Sequence, residues 1–140
     1  MKLPAIRKAS PIPIMADESC GDEHDAERLI NLKACDYINI KLGKSGGIFK
    51  ALKIVKLAAD AGIHLQVGGF VESRLAMTAF AHFSLCHPLI EHFDFDTALM
   101  FSEDPVTGGI VYGRNGVITI PDSPGLGAYI GEKMISKWCS

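Results

Sequence analysis

Tyr37-Ile38-Asn39-Ile40-Lys41, then Leu42-Gly43-Lys44-Ser45-Gly46-Gly47, then Ile48, Ala51, Leu52, Val55 and Ala59 on one helical stripe closed by Gly62, is the stretch whose reading decides the fold. A short apolar run ending in a charge, a glycine-rich loop and an amphipathic pattern make one strand–loop–helix unit. The unit recurs on both sides. Upstream, Ile12-Pro13-Ile14-Met15-Ala16 reads as a strand. Ser19 or Asp22 can cap the helix after it, with Ala26, Leu29, Ile30 and the Lys33 stem on one face. Downstream, His64-Leu65-Gln66-Val67 and the turn Gly68-Gly69 precede a helix marked by Leu75, Thr78, Ala79 and His82. Leu89-Ile90-Glu91-His92-Phe93 is a fourth strand. Strands this apolar belong to a parallel sheet covered on both faces, and right-handed crossovers bring all their C-terminal tips to one side. The predicted class is α/β, a partial (β/α) TIM-type barrel, since 140 residues are about half of the ~250 in a whole one.

The pattern changes after Phe101. Gly109-Ile110-Val111-Tyr112, the turn Gly113-Arg114-Asn115-Gly116, and Val117-Ile118-Thr119-Ile120 predict a hairpin, with Asn-Gly as its turn signal. A loop over 121–127 and a short helix over 129–138 complete the chain.

Composition narrows the function classes. With 48% hydrophobic residues and a net charge of −2, the chain is globular and is neither a nucleic-acid binder nor a disordered tail. Cys20, Cys35, Cys86 and Cys139 show no CxxC spacing and read as reduced, buried thiols. No run approaches the ~20 apolar residues of a membrane span, and Met1-Lys2-Leu3-Pro4-Ala5-Ile6-Arg7-Lys8 lacks the apolar core of a signal peptide. A cytoplasmic location, with no membrane partner, is the expectation.

The candidate chemistry lies at the strand ends. Asp17 and Glu18 are consecutive carboxylates after the first strand, and alternation points only one of them into a barrel mouth. A carboxylate there suits Mg²⁺; the competing reading is helix capping by Asp17, Glu18 and Ser19. Lys41 ends an apolar strand, where desolvation would lower its pKa toward that of a base, or where its stem could simply carry it to solvent. Gly43-Lys44-Ser45 resembles the end of a phosphate-binding loop, but Ile38 stands where that motif needs glycine. Glu72 follows Gly68-Gly69-Phe70-Val71 and either faces a substrate or pairs with Arg74 or Lys41. His82, Cys86 and His87 read as core residues and not as a zinc site. Asp94-Phe95-Asp96 places two acids on one side of an extended segment, a site for an ammonium group or a divalent metal, and the ammonium is preferred because Thr97-Ala98-Leu99-Met100 adds no calcium ligands.

Together, Met15-Ala16-Asp17-Glu18-Ser19, Asn39-Ile40-Lys41 with Gly43 and Gly46-Gly47, and Glu72-Ser73 resemble the fifth, sixth and seventh barrel strands of the enolase superfamily, in its muconate-lactonizing subgroup. Phe93-Asp94-Phe95-Asp96 at the eighth strand is similar to the dipeptide epimerases of the L-Ala-D/L-Glu type, as are Gly108-Gly109-Ile110 and Pro124-Gly125-Leu126-Gly127 near the end. The resemblance implies an isomerase that epimerises dipeptides with Mg²⁺, removing and returning an α-proton through an enediolate. It implies Lys41 as one of two acid/base lysines and Asp17 as the third metal carboxylate. Asp94 and Asp96 would hold the dipeptide ammonium, Gly69 would line the substrate, and Glu72 and Glu18 would support the site. Residues 1–104 would be strands five to eight of the barrel, and 105–140 a hairpin and tail that pack on a capping domain. The family's Lys-x-Lys motif, its other two metal carboxylates and its capping domain have no counterpart here. The expectation is one wall of a site, inactive alone and partnered by an N-terminal half or by self-association. Two alternatives remain: a non-catalytic half-barrel with an uncovered apolar face, and a cycloisomerase or o-succinylbenzoate synthase. Neither of the latter's substrates carries an ammonium for Asp94 and Asp96.

Overall fold

The computed structural model describes residues 2–138; Cys139 lies outside them. The chain forms two compact units, Met1–Gly69 with His87–Asp94, and Phe70–Cys86 with Phe95–Ser140.

The first unit opens with helix α1 (Leu3–Ala9), which has no buried residue. Its anchor is electrostatic. Arg7 donates to the Asp36 carboxylate at 2.8 Å and to the Lys33 carbonyl at 3.0 Å, while the other Asp36 oxygen accepts from the Ile14 amide at 2.8 Å. One carboxylate thus ties α1 to the entries of two strands. Strand β1 (Met15–Ala16) is followed by α2 (Glu23–Asn31), β2 (Tyr37–Ile40), α3 (Ile48–Ala61), β3 (His64–Val67) and, after the second unit's first segment, β4 (Ile90–Phe93). The four strands form one sheet in the order β1-β2-β3-β4, every neighbouring pair parallel. The parallel α/β class expected from the sequence is present.

Asp22 caps α2, accepting from the amides of His24 and Asp25 at 3.0 and 2.9 Å. Ala26 and Leu29 are buried beneath that helix. Lys33 is not on this face: it follows the helix with φ of 51° and is exposed. In α3 the buried stripe is Ala51, Ile54, Val55 and Ala58, whereas Ile48 and Leu52 are exposed. The expected stripe is therefore rotated. A helix apolar on most of its circumference offers several stripes, and packing against α2 and the sheet selects among them. Gly62 ends α3 at φ of 66°, the left-handed position where a side chain would be strained.

Ile38, Ile40, Leu65 and Val67 are fully buried and form the sheet's core face. Residues of the opposite parity, Tyr37, Asn39, Lys41, His64 and Gln66, share the other face. That face is largely polar, with Met15 of β1 at the same parity. Tyr37 stacks 5.2 Å from the rings of both His64 and His92, and its hydroxyl reaches Glu91 at 3.3 Å. The β3–β4 register slips between Leu65 and Gln66, which pair with Ile90 and His92 and leave Glu91 as the extra residue.

The second unit holds α4 (Arg74–Ser84), antiparallel β5 (Val106–Gly108) with β8 (Ala128–Ile130), the hairpin β6 (Val111–Tyr112) with β7 (Ile118–Thr119), and α5 (Glu132–Trp138). The hairpin is as expected, with Asn115 and Gly116 at positive φ in its turn. The β5–β8 pair was not foreseen, and the final helix starts at Glu132, not Tyr129. Met77, Thr78, Phe80, Ala81, Phe83 and Ser84 are buried on α4, a stripe that shares only Thr78 with the expected one. Arg74 organises the segment after the 3₁₀ turn Thr97–Met100: it pairs with Asp104 and donates to the carbonyls of Val106, Gly108 and Ile110. Cys20 and Cys35 are buried, and burial pushes the Cys20 thiol up to about 12, but Cys86 is exposed, against the expectation for all four cysteines.

Asp22→Ala should lower the unfolding free energy by about 1 kcal/mol through loss of the α2 cap, read from urea titrations with an unchanged slope. Arg7 and the Ile14 amide hold the Asp36 carboxyl below the usual range. Its contribution is therefore complete above the ordinary carboxylate pKa and fades as pH falls through the lower folded value. Asp36→Asn should remove that part of the acid-side slope in a pH series of urea midpoints.

Candidate functional site

Parallel pairing of Met15 with Tyr37 and Ala16 with Ile38 sets the tips of β1 and β2 side by side, and four charged side chains meet there. Lys41 Nζ lies 2.6 Å from Glu18 Oε1 and 3.1 Å from Asp17 Oδ2. Lys44 Nζ donates to Asp17 Oδ1 at 3.0 Å, to the Asp17 carbonyl at 2.7 Å and to the Asn39 carbonyl at 3.2 Å. The lysine side chains are only 10% and 8% exposed, whereas those of Asp17 and Glu18 are 44% and 63% exposed. The cations are sunk in the tips and the anions rise over them.

Alternation does not separate Asp17 from Glu18. The strand ends at Ala16 and the chain turns, with the Cys20 amide donating to the Asp17 carbonyl at 2.9 Å, so both carboxylates reach Lys41. The capping role belongs to Asp22 and not to Asp17, Glu18 or Ser19.

Burial opposes the charged form of Lys41, but its bonds to Glu18 and Asp17 outweigh that, and its pKa is raised. The depressed, base-like lysine expected from the sequence is not what this chain holds. Two opposite charges within contact distance override the cost of burying the ammonium, which would dominate in isolation. Burial likewise raises Asp17, and hydrogen bonds from Lys44 and Lys41 reverse the balance, leaving its carboxyl below the usual range.

Beneath Lys41 on the same face, Asn39 is buried and its Oδ1 has no hydrogen-bond partner. It packs on Gly68, where an added Cβ would lie 3.0 Å from that oxygen. Gly69 follows at the end of β3's turn. The Asp94 amide donates to the Val67 carbonyl at 3.0 Å, continuing the β3–β4 ladder, and Asp94 is half-buried. Asp96 belongs to the second unit, exposed and in a helical conformation at the start of the 3₁₀ turn. The extended segment assumed for the two acids thus ends before Asp96. Glu72, also in the second unit, accepts from the Phe70 amide at 2.9 Å. Arg74, one of its expected partners, is engaged by Asp104 and Lys41 by Asp17 and Glu18.

Lys44 is the site residue that sequence reading missed, having been weighed only as a phosphate-loop lysine. The available signal was charge balance: two strand-tip acids, Asp17 and Glu18, require two cations, and Lys41 is one.

A metal ion finds little here. Mg²⁺ takes about six oxygens in near-octahedral geometry. Among the described residues no three His, Cys, Asp or Glu side chains converge on a common point, and both Asp17 oxygens are taken by ammonium groups. The described residues do not by themselves fit Mg²⁺.

The fold and the tip cluster define a parallel α/β protein with an acid–lysine pair at its strand ends. A family model described as Enolase C-terminal domain-like matches residues 1–134, and the chain belongs to that family. It is 58% identical over 126 residues to the D-Ala-D/L-Ala epimerase of Cytophaga hutchinsonii, covering 90% of this chain and 34% of the relative. It is 42% identical over 125 residues to the L-Ala-D/L-Glu epimerase of Bacillus subtilis, covering 89% and 34%. The crystal structure of the Cytophaga hutchinsonii dipeptide epimerase complexed with Mg and the dipeptide D-Ala-L-Val superposes with a TM-score of 0.94 at 54% identity, over 97% of this chain and 37% of that one. The chain spans about a third of the length of these curated relatives. No helix among the described residues is long and apolar enough to cross a membrane.

Because its pKa is raised, Lys41 should react with amine-directed acylating reagents more slowly than the exposed lysines near neutral pH. Glu18→Gln removes its nearest anion and should speed that reaction, read by peptide mass mapping; an unchanged rate would show that Glu18 does not hold the proton on Lys41.

Proposed function

We propose that this chain supplies one wall of a dipeptide epimerase, an isomerase that inverts a stereocentre by moving an α-proton. The observation that carries the reading is the buried Lys41 ammonium held between two carboxylates at adjacent parallel strand tips, in a chain so similar to dipeptide epimerases. Residues 1–104 would form half of a barrel, and 105–140 would pack on a capping domain supplied from outside this sequence.

Lys41 is the acid/base group. Held protonated by Glu18 and Asp17, it would deliver its proton to one face of the α-carbon after a second base, supplied from outside this sequence, has taken the α-proton from the opposite face. In the reverse direction it accepts, which requires the two carboxylates to be drawn off its ammonium. Asp17 would be this chain's contribution to a Mg²⁺ site only if its carboxylate were released from Lys41 or Lys44 and further oxygen donors came from outside this chain. Asp94 and Asp96 would bind the dipeptide α-ammonium, Gly69 would line the substrate, and Glu72 would brace the turn through the Phe70 amide. Glu18 orients Lys41. An ammonium-bearing substrate suits an acid pair better than the substrates of cycloisomerases or o-succinylbenzoate synthases do.

A second reading, a non-catalytic half-barrel that folds or associates without ever completing a site, is favoured by the lack of a converging metal-ligand group among the described residues. The two readings divide on one experiment. The 140-residue chain alone should give no dipeptide α-proton exchange in D₂O, and adding an N-terminal portion with the missing lysine and carboxylates should restore exchange that EDTA abolishes. Asp94→Asn with Asp96→Asn should then reduce kcat/KM for dipeptides by at least about a hundredfold, since two charge-assisted contacts are lost. Normal dipeptide turnover by that variant would remove the ammonium role.

A further inference from the structure

Lys44 differs from every surface lysine of this chain in how completely it is engaged. Its ammonium has three donors, and three oxygens receive them: the Asp17 carbonyl, Asp17 Oδ1 and the Asn39 carbonyl. Its side chain is 8% exposed, although it stands in the Leu42–Gly47 loop, outside any strand or helix. The three acceptors lie on two chain segments, the end of β1 and the body of β2. β1 contributes only two residues to the ladder, so little backbone pairing fixes its tip. A charge-assisted bridge at that point does what a longer strand would otherwise do.

The bridge also divides the Asp17 carboxylate. Oδ1 faces Lys44 and Oδ2 faces Lys41 at 3.1 Å. With Oδ1 and the carbonyl of the same residue both bonded to one ammonium, rotation of the carboxylate is opposed from two directions. Oδ2 then keeps a fixed separation from Lys41.

We infer that Lys44 is a positioning residue, which pins the β1 tip to β2 and so sets the distance between Asp17 and the acid/base group Lys41. The inference rests on the epimerase reading for its catalytic consequence, but its structural part stands on this chain alone. Lys44 contacts no position assigned to the dipeptide; it acts through Asp17.

The test has two arms, so that failure of the inference and failure of the epimerase reading are distinguishable. The first uses the full 140-residue chain. In the wild type, the Lys44 side-chain nitrogen should give a resolved NMR signal with slowed proton exchange, unlike exposed lysines; fast exchange at Lys44 would overturn the inference without any variant. Lys44→Gln should speed amide exchange at Cys20, which hangs from the same Asp17 carbonyl, by about ten- to a hundredfold, the range for losing a hydrogen bond to a charged group. Unchanged Cys20 exchange would also overturn it. The second arm uses the chain complemented by the N-terminal portion. Lys44→Gln should lower kcat at least about tenfold, as misplacement of a catalytic group does, with the dipeptide KM within about twofold, and Lys44→Arg should recover part of kcat. A raised KM with kcat intact would make Lys44 a substrate-binding residue and refute positioning. An inactive wild-type complex would instead refute the epimerase reading, leaving the first arm to decide the bridge.

Discussion

The register between β1 and β2 is the constraint on which the site depends. Met15 faces Tyr37 and Ala16 faces Ile38, and continuing that pairing brings Asp17 alongside Asn39, within reach of Lys41 and Lys44. A slip of one residue would turn every side chain of the shorter strand to the other face, taking Ala16 out of the core and Asp17 away from both lysines. Two residues of ladder are a slender basis for such specificity. The register is secured from both ends instead: below, by Asp36, which binds Arg7 and the Ile14 amide, and above, by the Lys44 bridge. Polar contacts do here what hydrogen-bonded strand length does elsewhere in the sheet.

Much of this could be read in the residues. The four strands were legible because Tyr37-Ile38-Asn39-Ile40 and His64-Leu65-Gln66-Val67 are apolar runs with sharp polar ends, and Gly62 marked the end of α3 because glycine takes a left-handed backbone at the least cost. The short elements were not legible. α1 buries nothing, so no periodicity announces it, and its place is set by an arginine whose partner lies far along the chain. β5 and β8 are three residues each and pair across a long separation, a closure that local pattern cannot encode. The helix stripes were misread for a different reason. In α3 and α4, apolar residues occupy more than one face, and the choice among faces belongs to the neighbours.

The site shows the same division. Asp17 and Lys41 stood out as charges ending apolar runs, which is a local signal. Their mutual influence is not local. Lys41 looked like a base because the sequence shows its apolar strand and hides the two acids folded over it; once both are within contact distance, the proton stays on. Lys44 was hidden by its loop: beside glycines it was weighed only against a phosphate-binding loop, and its three acceptors, on Asp17 and Asn39, come together only in the fold. Asp94 and Asp96 were read as one feature because they are neighbours in sequence, while the backbone changes from extended to helical between them.

Asn39 and Gly68 have a consequence for how this protein can change over generations. The amide of one fills the room left by the missing side chain of the other, with the oxygen where a Cβ would intrude. A side chain at 68 would require the Asn39 amide to shift by a few tenths of an ångström, so the two positions constrain each other. Since Asn39 lies beneath Lys41 on the same face of the sheet, a change at either position would be felt under the ammonium cluster, and substitutions there are tolerated best as a pair.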